Sequence, residues 1–129
     1  MNYSKEDLIK YRMERALETY DEALELADKD HWNTVANRLY YCCFYLVLAL
    51  FAKNEINSGS HSGAKILFHK NFIKTGILST EFGKFYSNLF NKRQESDYED
   101  FKVFEEQDIK PLIKDTESFI KSIRKLIEQ

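Results

Sequence analysis

Apolar positions recur at helical spacing through most of this chain, and nowhere do they alternate with the period of two that marks a half-buried strand. From Ser4 to about Asp28, Leu8, Tyr11, Leu17, Tyr20, Leu24 and Ala27 form one stripe with acids between them. Ser4 followed three residues later by Asp7 is a capping signal at its start. Asp30 is placed to cap a second helix, from about His31 to Asn54, in which Val35, Leu39, Cys42, Leu46 and Ala49 recur in steps of three and four. Asn54 to Gly59 is a polar loop. Ser60 is placed to cap a third helix, from His61 to about Lys74, with Gly76 just past its end. A fourth opens at Ser79 or Thr80 and runs to about Arg93 or slightly beyond, with Phe82, Phe85, Tyr86, Leu89 and Phe90 on one side. That aromatic stripe is core at such spacing rather than a stacking platform for bases. Residues 99–104 connect to a closing helix from Phe104 to Ile127, where Pro111 is tolerated near the first turns or with a kink. The pattern predicts an all-α bundle of about five helices. With four Gly, one Pro and 129 residues, it reads as a single domain over 1–129.

Hydropathy singles out the second helix. From Leu39 to Ala52 it holds no charged residue, and Arg38 is the lone charge between Asp30 and Lys53. A helix apolar on every side belongs inside a protein or a membrane. This run is shorter than the ~20 residues needed to cross a bilayer, so it is read as the central core helix, with no membrane partner. The N-terminus lacks the apolar stretch of a secretory signal, and Cys42 and Cys43 point about 100° apart on the same helix. Both features fit a cytoplasmic protein with two buried, reduced thiols. The Arg38 guanidinium then needs a partner, because an unpaired buried charge costs roughly 3–5 kcal/mol. The expected partner region is Arg93-Gln94-Glu95-Ser96-Asp97-Tyr98.

Charge changes the picture in one place. The net charge of −2 is unevenly spread: residues 61–93 carry six basic side chains and only Glu81, whereas residues 1–30 carry five basic and nine acidic ones. The middle of the chain suits an anionic ligand such as a nucleotide or RNA, or else docks against the acidic terminal helices. Other chemistry is poorly served. No two of His31, His61 and His69 stand four residues apart, no Gly-rich phosphate loop is present, and a thiol on an apolar helix face is a poor nucleophile. No metal or cofactor is expected. What remains is a polar cluster. Arg93 and Asp97 share a face if the fourth helix continues, Arg38 reaches from the second helix, and His61 opens the third. One reading is structural, with Asp97 neutralising Arg38 or Arg93 and Tyr98 packing its ring. The other is an anion site in which the arginines hold a phosphate and His61 or Tyr98 orients it.

Four motifs stand in order: Ala36-Asn37-Arg38-Leu39-Tyr40-Tyr41, His61-Ser62-Gly63, Phe72-Ile73-Lys74-Thr75-Gly76, and Arg93-Gln94-Glu95-Ser96-Asp97-Tyr98. Together they resemble the HEPN domain family over essentially the whole chain, in particular its uncharacterised stand-alone prokaryotic branch. The resemblance implies an up-and-down bundle of four to five helices that dimerises with a polar cleft between subunits. It also implies a minimal nucleotidyltransferase as partner, in a toxin–antitoxin-like setting. Asn37, Arg38, Arg93, Asp97, Tyr98 and His61 would line the site, and Tyr98 would be open to modification by the partner. Active members are metal-independent ribonucleases with an Arg followed by His after four to six residues. Here those positions are Tyr98, Glu99 and Asp100. An endoribonuclease would therefore need Arg93 with a substitute base, for which His61 is the candidate. Otherwise the expectation is a module that binds nucleotide or RNA phosphate, with a purely structural helical dimer as a third reading.

Overall fold

The computed structural model describes residues 3–99 and 101–129. Five helices account for most of them, and no strand occurs among the described residues. They are α1 (Lys5–Asp28), α2 (Trp32–Lys53), α3 (His61–Phe68), α4 (Thr80–Tyr98) and α5 (Glu106–Glu128), with a wide π turn at His69–Ile73 directly after α3. The all-α bundle expected from the periodicity is what the chain forms.

Capping explains several boundaries. The Ser4 side chain accepts from the Asp7 N–H, and the Asp7 carboxylate accepts from the Ser4 N–H, which closes a capping box. Ser60 Oγ accepts from the Gly63 N–H at 2.9 Å and starts α3. Gly76 ends the third segment with φ +81°, a conformation open to glycine at no steric cost. Glu105 and Asp108 form a second capping box at the start of α5, and Pro111 lies in its second turn without interrupting it.

Three boundaries differ from expectation. Asp30 does not cap α2. It adopts φ +60° in the turn that ends α1, a role Asp tolerates, and α2 begins without a side-chain cap. The third segment is not one α-helix to Lys74, because its last turn widens into the π turn. There His69 Nδ1 lies 2.9 Å from the Lys65 carbonyl oxygen and Nε2 lies 3.1 Å from that of Gly83, tying the turn to α4. Gly83 permits this approach: a Cβ there would sit 3.1 Å from Ile73 Cγ2 and 3.2 Å from His69 Nε2. Finally, α4 runs to Tyr98, more than a turn beyond Arg93, and so brings Asp97 onto the Arg93 face.

The core is built around α2. Val35, Leu39, Tyr40, Cys42, Cys43, Leu46, Val47 and Leu50 are all buried, and α1, α4 and α5 pack around them. On α1 the small residues Ala16, Thr19 and Ala23 are fully buried, which lets the two helices approach closely. Phe119 of α5 meets Phe68, Phe82, Phe85 and Tyr86, so the aromatic stripe of α4 is core. By length and composition α2 is also the one described helix apolar enough to cross a membrane. Most of its apolar surface is already covered by its own bundle, as the central-core reading required. Cys42 and Cys43 are buried and unbridged, and burial pushes the Cys43 thiol well above its ordinary value.

Candidate functional site

Tyr40 and Tyr41 on α2 are the platform on which the polar groups of three helices meet. Arg93 comes from α4. Its guanidinium carbon lies 4.9 Å from the Tyr40 ring centre and 5.9 Å from that of Tyr41. Its Nη1 donates to the Tyr41 hydroxyl at 3.3 Å and faces an Asp97 carboxylate oxygen at 3.8 Å. Arg93 is only 7% exposed, yet its Nε is buried with no hydrogen-bond partner. A buried cation with one loose ion pair and one idle donor is under-satisfied.

His61 comes from α3. Its Nδ1 is 2.8 Å from the Tyr40 hydroxyl, and its ring packs 4.3 Å from Phe44 and 5.7 Å from Tyr41. Partial burial holds the His61 pKa below its ordinary value, and the nearby Arg93 cation lowers it further. The imidazole is thus neutral near pH 7. Tyr40 is pushed up to about 12, mainly by burial, with Arg93 working in the opposite direction. It stays a phenol at any physiological pH.

The expected site residues fall into three sets. Arg93, with Asp97 beside it, and His61 meet at the tyrosine pair, Asn37 and Arg38 flank it, and Tyr98 lies outside it. Arg38 does not reach Asp97. It turns toward α1, where Nη1 meets Glu22 at 3.5 Å, and its Nε and Nη2 donate to the side-chain oxygen of Asn37 at 3.1 and 2.7 Å. The reason lies in helical phase. Arg38, Tyr41 and Tyr45 share the flank of α2 that faces α1, as the contact of Arg15 with the Tyr45 ring at 5.3 Å confirms. Arg38 is also partly solvated, so its charge is not stranded in the core as the apolar run suggested. It still touches the platform, with its guanidinium carbon 5.3 Å from the Tyr41 ring centre. Tyr41 therefore sits between two arginines.

Tyr98 stands apart. It is 76% exposed at the end of α4, beside a shallow surface depression lined by Asn91, Gln94, Glu95 and Glu99, so it does not pack its ring into the fold. Among the described residues no group of three or more His, Cys, Asp or Glu side chains is arranged to hold a metal ion.

Sequence reasoning left three contributors out of the site. Tyr40 and Tyr41 stand within the second-helix motif, but spacing alone gives them no role in the site. Asn33 was passed over altogether. It donates to the Lys102 carbonyl at 2.8 Å and to Ser96 Oγ at 3.3 Å, and accepts from the Phe104 N–H at 2.8 Å. These bonds pin the α4–α5 connection against α2. Its position one turn before Asn37 was the available signal.

The chain is thus an all-α bundle in which a buried arginine and a histidine from two further helices meet on a tyrosine pair. The HEPN domain family model matches residues 9–126, and the chain belongs to the HEPN domain family. Its relatives include a UPF0332 protein of Thermotoga maritima, 39% identical over 124 residues, covering 96% of this chain and 94% of that one. Two Methanocaldococcus jannaschii proteins that bear the name "Putative toxin" are also similar. One is 35% identical over 94 residues (70% of this chain, 64% of that one), the other 25% identical over 129 residues (100% and 96%).

Proposed function

We propose that this chain is a toxin-like HEPN module that binds a phosphate of RNA or a nucleotide at the Arg93–Tyr41–His61 cluster. The observation that carries the reading is the under-satisfied guanidinium of Arg93, buried beside a neutral imidazole. An incoming phosphate oxygen would compete with Asp97, whose contact at 3.8 Å is long for a charge-assisted bond. Arg38 adds a second, partly exposed cation against the Tyr41 ring, and Asn37 holds it in place. Phosphate contacts of this kind supply affinity without sequence preference and weaken with salt. The names borne by two relatives support a toxin-like role. In this reading the module works in the cytoplasm as a homodimer with a minimal nucleotidyltransferase partner, and the exposed Tyr98 is the side chain such a partner would reach.

A second reading, metal-independent endoribonuclease, is favoured by one observation. His61 meets the same tyrosine pair as Arg93, so it could stand in, from another helix, for the family's missing histidine. Cleavage would follow attack of the RNA 2′-oxygen on phosphorus with loss of the 5′-oxygen. Arg93 would stabilise the added charge and His61 would handle a proton. Incubation of purified protein with structured and single-stranded RNAs, without metal, tests both readings against Arg93→Ala and His61→Ala. Binding without cleavage that is lost in Arg93→Ala supports the phosphate site. Cleavage lost in both variants supports the ribonuclease. No RNA or nucleotide bound leaves a structural helical module.

A further inference from the structure

The flank of α2 that carries Tyr41 continues past the phosphate site. Tyr41, Phe44, Tyr45 and Leu48 follow at helical spacing on one stripe, and all four are only half-buried. Cys42, Cys43, Leu46 and Val47 between them are completely buried. The rings form a continuous run, with centroids 6.2 Å apart from Tyr41 to Phe44 and from Phe44 to Tyr45. The arginines gather on this stripe. The chain has five, and four of them lie against it. Arg93 and Arg38 meet the Tyr41 ring, Arg15 of α1 lies 5.3 Å from the centre of the Tyr45 ring, and Arg12 donates Nη1 to the Leu48 carbonyl at 2.8 Å. From Arg38 to Leu48 the helix rises roughly 15 Å, at about 1.5 Å per residue. That exceeds what one phosphate needs and matches roughly four nucleotides stacked at about 3.4 Å. The acids beside the stripe hold it weakly. Glu18 meets Arg15 at 3.1 Å and Glu22 meets Arg38 at 3.5 Å, each at Nη1, and both carboxylates are more than half exposed. Exposed pairs of this kind contribute little and yield to a competing phosphate oxygen.

Arginines beside half-buried aromatic rings are the chemistry that receives unstacked bases and a phosphate backbone. A guanidinium stacks on a ring and still presents N–H donors to a phosphate, which a lysine ammonium does poorly. A duplex keeps its base faces inside its own stack. A second copy docked through this same stripe would set the four cations against their like, which is repulsive. We infer that the stripe is a track for single-stranded RNA several nucleotides long, in which Arg15 and Tyr45 form a second subsite beyond the Arg93 phosphate. There Arg15 binds a further phosphate, and the Arg15–Tyr45 pair receives a base. The inference deepens the phosphate-site reading and rests on it for the first phosphate. It makes a strand, rather than a free nucleotide, the ligand of that site.

The test is titration of the full chain, at several salt concentrations, with uridine monophosphate and with a short oligouridylate of about eight nucleotides. The oligonucleotide is 2′-O-methylated so that it cannot be cleaved through its own 2′-oxygen. Wild type should bind the strand at least about tenfold more tightly than the mononucleotide. Arg15→Gln and Tyr45→Leu should each weaken strand binding about tenfold and leave mononucleotide binding unchanged. Arg15→Gln should also lower the slope of log affinity against log salt by about 0.7, the share of one phosphate contact on a single strand. Arg15 is a partly exposed α1 side chain, so its variant carries the comparison if Tyr45→Leu does not unfold cooperatively. No strand binding by wild type, equal affinity for the two probes, or strand affinity unmoved in Arg15→Gln overturns the track. So does an Arg15→Gln protein that sediments as a monomer where wild type is a dimer, because the stripe is then an interface between copies. Mononucleotide binding that survives Arg93→Met would count against the phosphate site, while the track is judged on Arg15 and Tyr45.

Discussion

Two cations, one at the end of α2 and one packed against its middle, have opposite fates. Lys53, at the C-terminal end of that helix, directs its ammonium at the last carbonyls of α5, with 2.7 Å to Leu126, 2.8 Å to Ile127 and 2.6 Å to Gln129. Its three donors are all used, and it meets the negative end of a helix dipole. Arg93, nearer the middle of α2, is more deeply buried and less well served: one hydroxyl at 3.3 Å, one carboxylate oxygen at 3.8 Å, and an Nε with no partner. The first arrangement is complete within the fold. The second leaves one buried donor unmet. On the proposed reading, full satisfaction marks Lys53 as a structural charge and the deficit marks Arg93 as the binding one.

The largest expected effect concerns the core that both regions share. Phe119→Ala, which removes the ring gripped by α3 and α4, should cost about 3–5 kcal/mol in denaturant unfolding. Lys53→Met comes next. It leaves the α5 carbonyls without their donor and should cost roughly 1–3 kcal/mol of stability, with RNA affinity unchanged. Arg93→Met should invert that result. Loss of a charge-assisted phosphate bond should weaken RNA binding roughly 10–100-fold, while stability changes by less than about 1 kcal/mol, because a poorly paired buried charge is exchanged for a packed side chain. Arg38→Ala, which removes a partly solvated cation already shared with Glu22, should weaken binding by only about threefold, an effect that fades as salt rises.

The smallest effect is in pH. His61 has its pKa lowered by burial and by Arg93, so the unfolded chain binds its proton more readily than the folded one. Its contribution to stability is complete above the unfolded value of roughly 6.5 and is lost as pH falls from there through the folded value. Thermal unfolding of wild type and His61→Gln should therefore diverge below about pH 6.5, with wild type losing more stability than the variant.

Much of this fold was legible because local signals agreed. The Ser4–Asp7 box, the Ser60 cap, Gly76 and the apolar stripes all act within a few residues of sequence, and each appears where it was expected. Asp30 misled because a residue suited to capping a helix is equally suited to the left-handed turn that ends the one before it. The π turn at His69–Ile73 depends on Gly83, fourteen residues past His69, admitting the His69 ring, which local reading could not weigh. Arg93 and His61 do meet at one tyrosine pair, but the pairing of the charges was not legible. Arg38 appeared to be the stranded charge because its helix is apolar. The phase of α2 against α1 instead gave it Glu22 and solvent, and left the deeper deficit to Arg93. His61 and Arg93 are brought together by Tyr40, a contact across twenty-one residues on one side that no spacing rule reveals.

The most direct test of the contrast between the two cations is fluorescence-anisotropy titration of a labelled short RNA with wild type, Arg93→Met and Lys53→Met, each checked for cooperative unfolding. The account predicts that Arg93→Met loses binding and keeps its stability, while Lys53→Met loses stability and keeps its binding. Arg93→Met that binds RNA as wild type does would contradict it, and would return Arg93 to the structural role that Lys53 already fills.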